Sequence, residues 1–353
     1  MKRGEEIEVE ITDVAYGGDA IARHEGRVVF VPFAIPGERV VARVTDVHRS
    51  YARAEIKRIA VPSPDRIAPP CPLFTRCGGC AYQHIVYARQ LEIKTRQVAE
   101  AFRRIGKIAA PPVEPARPSP KDYHYRNRIT VHVQPPEIGF RGTDPRRLVE
   151  VKECLLAEER VNAALAVLRA KKRLRPGPAT LRAGAEHNGF RQVNDAAAEV
   201  LAGVVTDLAG NGEVLVDAYC GAGFFAKRLL GNFSRIIGID WDERSTNHAR
   251  SGADARETYF TGDAAALLPG IIADNNPQVV LLDPPAQGAA PEVVQTLLDT
   301  TVARIVYVSC DPATLARDVA KLSPRYALVR AVPVDMFPQT ASIETACLLT
   351  AKD

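Results

Sequence analysis

The sequence predicts an α/β protein in which a doubly wound parallel sheet follows a small N-terminal β-barrel. After about residue 190, apolar strand-like runs alternate with helical segments, which is typical of a parallel sheet covered by helices. In the first sixty residues, short alternating strands are separated by Gly and Pro turns, which favours a closed barrel of the OB type. At roughly 100 to 200 residues per domain, two or three domains are expected.

The predicted barrel contains the segments IEVEITDV, GGDAIAR, RVVFVPF, ERVVARVTDV and YARAEIKRIA. Barrels of this type often bind single-stranded nucleic acid, although they also serve as plain scaffolds. The next segment, VPSPDRIAPP, has four prolines in ten residues and predicts a stiff linker.

Composition excludes several classes of protein. Hydrophobic residues make up 46% of the chain, yet no stretch approaches the roughly 20 apolar residues of a membrane span. The opening MKRGEEIEVE lacks the apolar core of a secretory signal. We therefore expect a cytoplasmic monomer with reduced thiols and no membrane association.

Positive charge is concentrated in the middle of the chain. Residues 86–182 carry 21 basic and 10 acidic side chains, a balance of +11, whereas residues 190–353 carry 13 and 20, a balance of −7. This bias predicts a polyanion-binding surface, with Arg126, Arg128, Lys171, Lys172 and Arg173 as candidate phosphate contacts. The alternative is that these side chains only solvate helices.

Ligands of doubly wound sheets bind at the carboxyl ends of the strands. Four notable segments follow predicted strands, namely Tyr219 to Gly223, Asp240, Asp283 with two prolines, and Cys310 with Asp-Pro after it. The segment GAGFFA fits a loose nucleotide-binding fingerprint, and Asp240 lies where a ribose-binding carboxylate is expected. Both NAD and S-adenosylmethionine fit that turn. Asp217 favours the cationic methyl donor, because its carboxylate would repel a pyrophosphate.

Cys310 is the candidate nucleophile. It ends an apolar strand and the following Asp-Pro forces a turn, so its thiol is expected at the rim of the ligand site. Buried cysteines more often act as small hydrophobic residues, and this is the expectation for Cys220 and Cys347.

Taken together in this order, the motifs resemble those of the RNA 5-methyluridine methyltransferases. The resemblance covers essentially the whole chain and is strongest to the branch with a TRAM domain and an iron-sulfur cluster that acts on 23S ribosomal RNA. It depends on the barrel, on Cys71, Cys77 and Cys80, and on the segments YRNRITVHV, GFRG, FRQVN, DAYCGAG, LLDPP, YVSCDP and FPQTASIE.

The resemblance implies a TRAM barrel over residues 1–60, a central α+β domain over 61–189 and a methyltransferase domain over 190–353 with a Rossmann-like sheet. It implies methylation of uridine C5 in RNA, with 23S rRNA favoured and tRNA as the alternative. Two other classes stay open, an NAD-type oxidoreductase and an RNA-binding protein without catalysis.

Uracil C5 is a weak nucleophile, so a thiolate must first add at C6 and a base must later remove the C5 proton. The resemblance assigns these roles to Cys310 and Glu344. It implies cofactor contacts by Gln192, Tyr219, Asp240 and Asp283, with Asp263 near the adenine and Gly221 and Gly223 in the turn. Phe190 is a candidate for stacking on a flipped base.

Three crowded thiols at residues 71, 77 and 80 indicate a metal site that needs a fourth ligand. Cys154 is the remaining cysteine outside the predicted sheet domain. Four thiolates suit zinc or an iron-sulfur cluster, and the spacing is less like that of a zinc ribbon. The resemblance implies a structural 4Fe-4S cluster held by Cys71, Cys77, Cys80 and Cys154.

The sequence departs from the family pattern around the site. Asp311 replaces an Asn, Gln339 and Ser342 replace His, and Phe224 replaces a polar residue found in some members. The loop after Asp283 reads PPAQG, where an Arg commonly follows the prolines. These changes bear on the substrate and on pH behaviour more than on the type of reaction.

Overall fold

The computed structural model describes residues 1–184 and 192–352, and its internal contacts divide the chain into two compact units. The first unit comprises Met1–Gln97, Lys121–Gly184 and Phe337–Ser342. The second unit comprises Val98–Pro120, Ala185–Met336 and Ile343–Asp353. The division into three domains stays a prediction.

The barrel predicted at the N-terminus is present. Within the described residues it is closed in the order β1-β2-β3-β5-β4, with β4 antiparallel to β1. Alternate residues of β1, Ile7, Val9 and Ile11, are buried in the barrel core, as the alternating sequence requires. The strands are β1 Glu6–Val14, β2 Asp19–His24, β3 Arg27–Pro32, β4 Arg39–Val47 and β5 Tyr51–Val61.

The rest of the first unit contains a small antiparallel sheet in the order β8-β7-β6-β9, counted over the described chain. Its core includes Ile129 and Val131 of β6 packed with Val161 and Leu165 of α2. The elements are α1 Tyr87–Arg104, which continues into the second unit, β6 Arg128–Gln134, β7 Glu137–Arg141, β8 Leu148–Glu150, α2 Glu159–Arg169 and β9 Gly177–Arg182.

The second unit contains the predicted doubly wound sheet, with strand order β12-β11-β10-β13-β14-β16-β15 in the described residues. Strands β10 to β14 are parallel, whereas β16 is antiparallel to both β14 and β15. The elements are α3 Asp195–Ala209, β10 Gly212–Asp217, α4 Phe224–Leu229, β11 Phe233–Asp240, α5 Glu243–Ser251, β12 Glu257–Thr261, α6 Ala264–Asn275, β13 Val279–Leu282, α7 Pro291–Asp299, β14 Arg304–Ser309, α8 Pro312–Leu322, β15 Tyr326–Val334 and β16 Glu344–Ala351.

Local sequence explains where these elements begin. Every residue of β13 is buried, which suits a central strand covered on both faces. Asn194, Asp242, Asp263 and Asp311 cap helices α3, α5, α6 and α8 through their side chains. In the described part of the chain, no helix has the length and apolar character that crossing a membrane requires.

Candidate active site

The glycine turn after β10 has the conformation that its sequence predicts. Gly221 and Gly223 have positive φ angles of 52° and 80°, a region that glycine enters without strain. A Cβ at Gly223 would lie 2.6 Å from the Tyr259 hydroxyl, whereas a Cβ at Gly221 would meet no atom within 4 Å. The turn is therefore closely packed at one glycine and open at the other.

Asp240 links this turn to the next strand. It ends β11, and its Oδ2 accepts a hydrogen bond of 2.8 Å from the Gly221 amide. Its Oδ1 accepts another of 2.8 Å from the Asp242 amide. The carboxylate thus fixes the backbone on both sides and keeps further lone pairs for a ligand.

Asp217 is a fully buried carboxyl at the end of β10. Neither of its oxygens has a hydrogen-bond partner of acceptable geometry among the described residues. Burial, reinforced by Asp283, raises the pKa of Asp217 to about 8. Only the Tyr219 backbone opposes this rise through a hydrogen bond, so the buried carboxyl has capacity left for a cationic or hydrogen-bonding ligand.

Two other predicted cofactor residues, Asp263 and Tyr219, follow strands β12 and β10, whereas Gln192 precedes a helix. Asp263 follows β12 and accepts a 2.9 Å hydrogen bond from the Ala265 amide, so it caps α6. The Tyr219 hydroxyl accepts a 3.3 Å hydrogen bond from the Ala290 amide. Gln192 is partly buried and lies three residues before α3. Phe190 lies outside the described residues, and all the cofactor assignments stay predictions.

Cys310 follows β14 at the same edge of the sheet. The antiparallel pairing of Ser309 with Thr345, continued by one residue, places Cys310 opposite Glu344 of β16. Cys310 is half-buried, and burial together with Glu344 and Asp283 raises the pKa of its thiol to about 11. The resting group at neutral pH is therefore the thiol, and it must lose a proton before it can attack.

Two carboxyls accompany the thiol. Glu344 is buried, and burial and the nearby Asp283 raise its pKa well above the usual value. Burial also raises the pKa of Asp283, which follows β13. Groups with raised pKa values next to a thiol are typical of a site that moves protons near neutral pH.

Asp318 of α8 was not predicted from the sequence, but it supports the site. This buried carboxylate accepts hydrogen bonds from the Tyr307 hydroxyl at 2.8 Å and from the Ala289 amide at 3.0 Å. Ala289 belongs to the loop after Asp283, so Asp318 holds that loop in place. An acidic residue at a buried position of the amphipathic helix PATLARDVAKL is the sequence signal that identifies it.

The family departures have structural explanations. Asp311 caps α8 by accepting a 2.7 Å hydrogen bond from the Thr314 amide, a role that Asn performs equally well. In the first unit, Gln339 has a φ angle of 68°, and its Oε1 accepts a 2.9 Å hydrogen bond from the Gln90 amide group. The Phe224 ring packs against the Arg228 guanidinium, whose Cζ atom lies 4.0 Å from the ring centroid. Ser342 is exposed.

The four predicted metal ligands lie close enough to interact electrostatically. The Cys77 and Cys80 thiols are both affected by Cys71 and Cys154. Burial raises the pKa of Cys80 to about 12 and also raises the pKa of Cys77 and Cys154. Among the residues described, no group of three or more His, Cys, Asp or Glu side chains is arranged to hold a metal ion.

Hydrogen-bond donors surround these sulfur atoms. The Gly79 amide donates to Cys77 Sγ at 3.4 Å, and the Gln83 side-chain amide donates to Cys80 Sγ at 3.1 Å. Donors of this kind stabilise thiolates bound to metal. The donor set therefore fits a thiolate-bound metal group.

The candidate RNA contacts differ in their surroundings. Lys171, Lys172 and Arg173 are exposed just after α2, as a phosphate-binding role requires. Arg126 is partly buried near Cys154, where its charge partly offsets the rise in the pKa of that thiol that burial causes. Burial lowers the pKa of Arg128, which is also partly enclosed. Their contacts with RNA stay predictions.

Comparison with known proteins supports the resemblance. Residues 1–57 match the TRAM domain, and residues 267–352 match the tRNA (uracil-5-)-methyltransferase family. An uncharacterized RNA methyltransferase of Bdellovibrio bacteriovorus is 34% identical, with 97% of this chain and 94% of the relative covered. A second, from Gloeobacter violaceus, is 32% identical, covering 99% of this chain and 97% of the relative.

A solved structure has the same fold over nearly the entire chain. The tRNA (uracil-54, C5)-methyltransferase of Pyrococcus abyssi, in complex with S-adenosyl-L-homocysteine, matches with a TM-score of 0.72 and 22% identity. The match covers 98% of this chain and 100% of that chain. With two relatives above 30% identity over almost their full length, this chain belongs to the RNA methyltransferase family, with an N-terminal TRAM domain and a C-terminal match to the tRNA (uracil-5-)-methyltransferase family.

Proposed function

We propose that this protein methylates C5 of a uridine in 23S rRNA, with S-adenosylmethionine as methyl donor and Cys310 as covalent nucleophile. The observation that carries the proposal is the register of β14 and β16, which brings Cys310 opposite Glu344 in the family's sheet. The alternative substrate is a tRNA uridine. A nicotinamide oxidoreductase is disfavoured because it explains neither the barrel nor the family membership.

The methyl donor is bound at the edge formed by the glycine turn, Asp240, Asp263 and Tyr219. The buried carboxyl of Asp217 suits a cationic ligand, because a nearby positive charge would stabilise the ionised form. When bound, the donor supplies an electrophilic methyl group on sulfur.

Methyl transfer then needs two functions from the chain. The Cys310 thiolate adds to C6, forming a C–S bond and moving the electrons of the C5–C6 double bond into an enolate. Carbon C5 takes the methyl group, and the electrons of the broken S–CH3 bond remain on the donor sulfur. Glu344 removes the C5 proton, the double bond re-forms and the C–S bond to Cys310 breaks.

Cys71, Cys77, Cys80 and Cys154 hold a 4Fe-4S cluster with a structural role. If the cluster is bound, these four thiolates would be its ligands, and it would link the segment around residues 71–80 to the segment around Cys154. The electrostatic interaction among the four thiols and the resemblance support the cluster, and zinc is the alternative. We place the enzyme in the cytoplasm as a monomer, with domains at residues 1–60, 61–189 and 190–353.

Mapping of 5-methyluridine by mass spectrometry in RNA from cells with and without this gene tests the substrate. The proposal expects one 23S rRNA site to lose its methyl group and to regain it when the gene is restored. Unchanged rRNA with loss of methylation at a tRNA site would overturn the rRNA assignment. Unchanged methylation in both RNA classes would overturn the proposed activity.

A further inference from the structure

The first compact unit contains a cavity that the methyl-transfer chemistry does not use. Its volume is about 840 Å³, which is within the range of small-molecule sites. We call it the Phe33 cavity, lined by Phe33, Phe74, Thr75, His84, Arg53 and Arg66 among others. These residues come from the barrel and from the segment that follows it.

Three rings form adjoining walls of the Phe33 cavity. The Phe33 and Phe74 rings meet edge to face, with centroids 5.2 Å apart and planes at 71°. The His84 ring lies 5.4 Å from Phe74 with planes at 33°. Aromatic walls of this kind bind flat, unsaturated ligands by stacking or by edge contacts.

His84 provides hydrogen-bonding capacity that the described chain does not use. It is only 2% exposed, and neither ring nitrogen forms a hydrogen bond of acceptable geometry within the described residues. Burial lowers the pKa of His84 to about 4, with a smaller contribution from Arg66, while the Ala34 backbone opposes the change. Because the Ala34 backbone interacts with one ring nitrogen, the neutral ring keeps its other nitrogen for a hydrogen bond to a ligand.

The backbone around the cavity is strained. Phe33 and Thr75 have φ angles of 64° and 70°, a region that side chains such as Phe rarely adopt. Arg66 donates a 2.8 Å hydrogen bond to the Phe33 carbonyl and pairs with the buried Glu38. Strain that is held in place by a buried ion pair is more frequent at binding sites than elsewhere.

The ordinary charged side chains that line the cavity are two arginines and two carboxylates, and the cavity also reaches Cys80, one of the predicted metal ligands. Arg53 and Arg66 face Asp19 and Glu55, and Arg53 forms a 2.9 Å ion pair with Asp19. This balance suits an uncharged, flat group better than a phosphate or an acidic peptide. The site chemistry is thus aromatic, neutral and capable of hydrogen bonding.

We propose that the Phe33 cavity binds one unpaired nucleobase of the RNA, separate from the uridine that is methylated. This inference rests on the proposed function for the presence of RNA. A nucleobase satisfies the three observed features together, because its faces stack on rings, its edge bonds to His84, and it has no charge. The cavity would then contribute to selection of the RNA by recognising a base away from the methylated position.

The test uses the full-length protein with its metal group intact and two labelled probes. One probe is a twelve-nucleotide oligoadenylate, and the other is the same phosphate backbone with abasic riboses. Wild-type protein should bind the first more tightly than the second by about fivefold to hundredfold, as base stacking predicts. Equal affinity for the two probes would overturn the inference.

Two variants locate the effect. Phe33→Gly removes the ring at a φ that glycine accepts without strain, and His84→Phe keeps a ring but removes the hydrogen bonds. Each should lower the affinity for oligoadenylate several-fold or more while leaving that for the abasic probe unchanged. Tyr16→Ala is the matched control, because Tyr16 is an exposed aromatic residue that does not line the cavity. Equal losses of affinity for both probes would show that the substitutions disturb the structure of the protein and not a contact with the base.

A measurement on wild-type protein does not depend on variants. In protein labelled with nitrogen-15 histidine, the ring signals of His84 should shift with oligoadenylate and stay in place with the abasic probe. A His84 ring signal whose chemical shift does not change with either probe would overturn the inference. Trapping of 5-fluorouridine RNA on Cys310 tests the proposed methyl transfer separately. The experiments can therefore contradict the proposed function without contradicting base binding in the Phe33 cavity, and the reverse.

Discussion

The Tyr307 hydroxyl donates a 2.8 Å hydrogen bond to Oδ2 of Asp318, a buried carboxylate on α8. The same oxygen accepts the Ala289 amide, while Oδ1 accepts the Arg317 guanidinium at 2.9 Å. A Cβ at Gly288 would lie 2.3 Å from Asp318 Oδ2, so the loop passes close to the carboxylate. Tyr307 and Asp318 together therefore fix the position of the loop that follows Asp283.

Replacing Asp318 by Asn should loosen this loop and weaken binding of the methyl donor. A lost hydrogen bond to a buried charged group corresponds to about 1.5–3 kcal/mol, so the KM for the donor should rise about tenfold or more. The kcat at saturating donor should change much less, because Asp318 positions the loop and does not react. Asp274→Asn, an exposed aspartate of α6, is the control. A fall in kcat with unchanged KM would contradict the positioning role.

Much of the fold was predictable because buried strands and alternating strands have distinct patterns. The strand ends that carry Asp240, Asp283 and Cys310 follow from apolar runs such as VVLL, whose four residues are all buried. The helix pattern marks Asp318 as an acidic residue on a buried face, but its partners Tyr307 and Ala289 lie in other segments, so its role follows only from the tertiary structure. The His84 and Phe33 contacts likewise depend on tertiary packing of the barrel against the next segment.

Asp217→Asn should stabilise the protein without ligand, increasingly so as pH rises. Burial raises the pKa of Asp217 from 3.8 to about 8, so the folded state holds a proton that the unfolded state releases. The stability that this group contributes is complete below about pH 4 and is lost as pH rises through about 8. Thermal unfolding at pH 5 and pH 9 should show a larger gain for the variant at pH 9.

The same variant should bind S-adenosylmethionine more weakly, because an amide supplies no negative charge for a cationic ligand. Calorimetric titration measures this loss, which should be about tenfold or more for a charged partner. A variant that is more stable at pH 9 and binds the donor as well as wild type would show that Asp217 is buried for another reason.

Protein purified without oxygen should be brown and contain about four iron and four sulfide per chain. Cys80→Ser should lose the iron and lower stability, since the four thiols then lack one ligand. Cys220→Ser is the matched control, because Cys220 is a buried cysteine of the second unit that is not one of the four predicted ligands. One zinc per chain without sulfide would contradict the iron-sulfur assignment.

Formation of the enzyme–RNA adduct should accelerate with pH between about 6 and 9. Burial raises the pKa of Cys310 to about 11, so the thiolate fraction of the free enzyme increases about tenfold per pH unit over this range. Rapid-quench trapping of 5-fluorouridine RNA measures the rate of adduct formation. As a control, RNA that carries a dye with pH-insensitive fluorescence measures binding of the RNA to the enzyme at each pH. A rate that is flat from pH 6 to 9 would mean that the thiol is already ionised in the complex.

Variants of Cys310 and of Glu344 should be blocked at different steps of the reaction. Cys310→Ala removes the group that adds to C6, so neither methylation nor a covalent species should form. Glu344→Gln leaves addition and methyl transfer intact but removes the base for the C5 proton, so a methylated RNA adduct should accumulate as a slow band on denaturing gels. Wild-type enzyme should give the same band on RNA with 5-fluorouridine, because fluorine is not lost as a proton.

An adduct that survives Cys310→Ala, or a Glu344→Gln variant with wild-type turnover, would contradict the assignment. Loss of the adduct only in Cys220→Ala or Cys347→Ala would move the nucleophile to a cysteine that the structure buries.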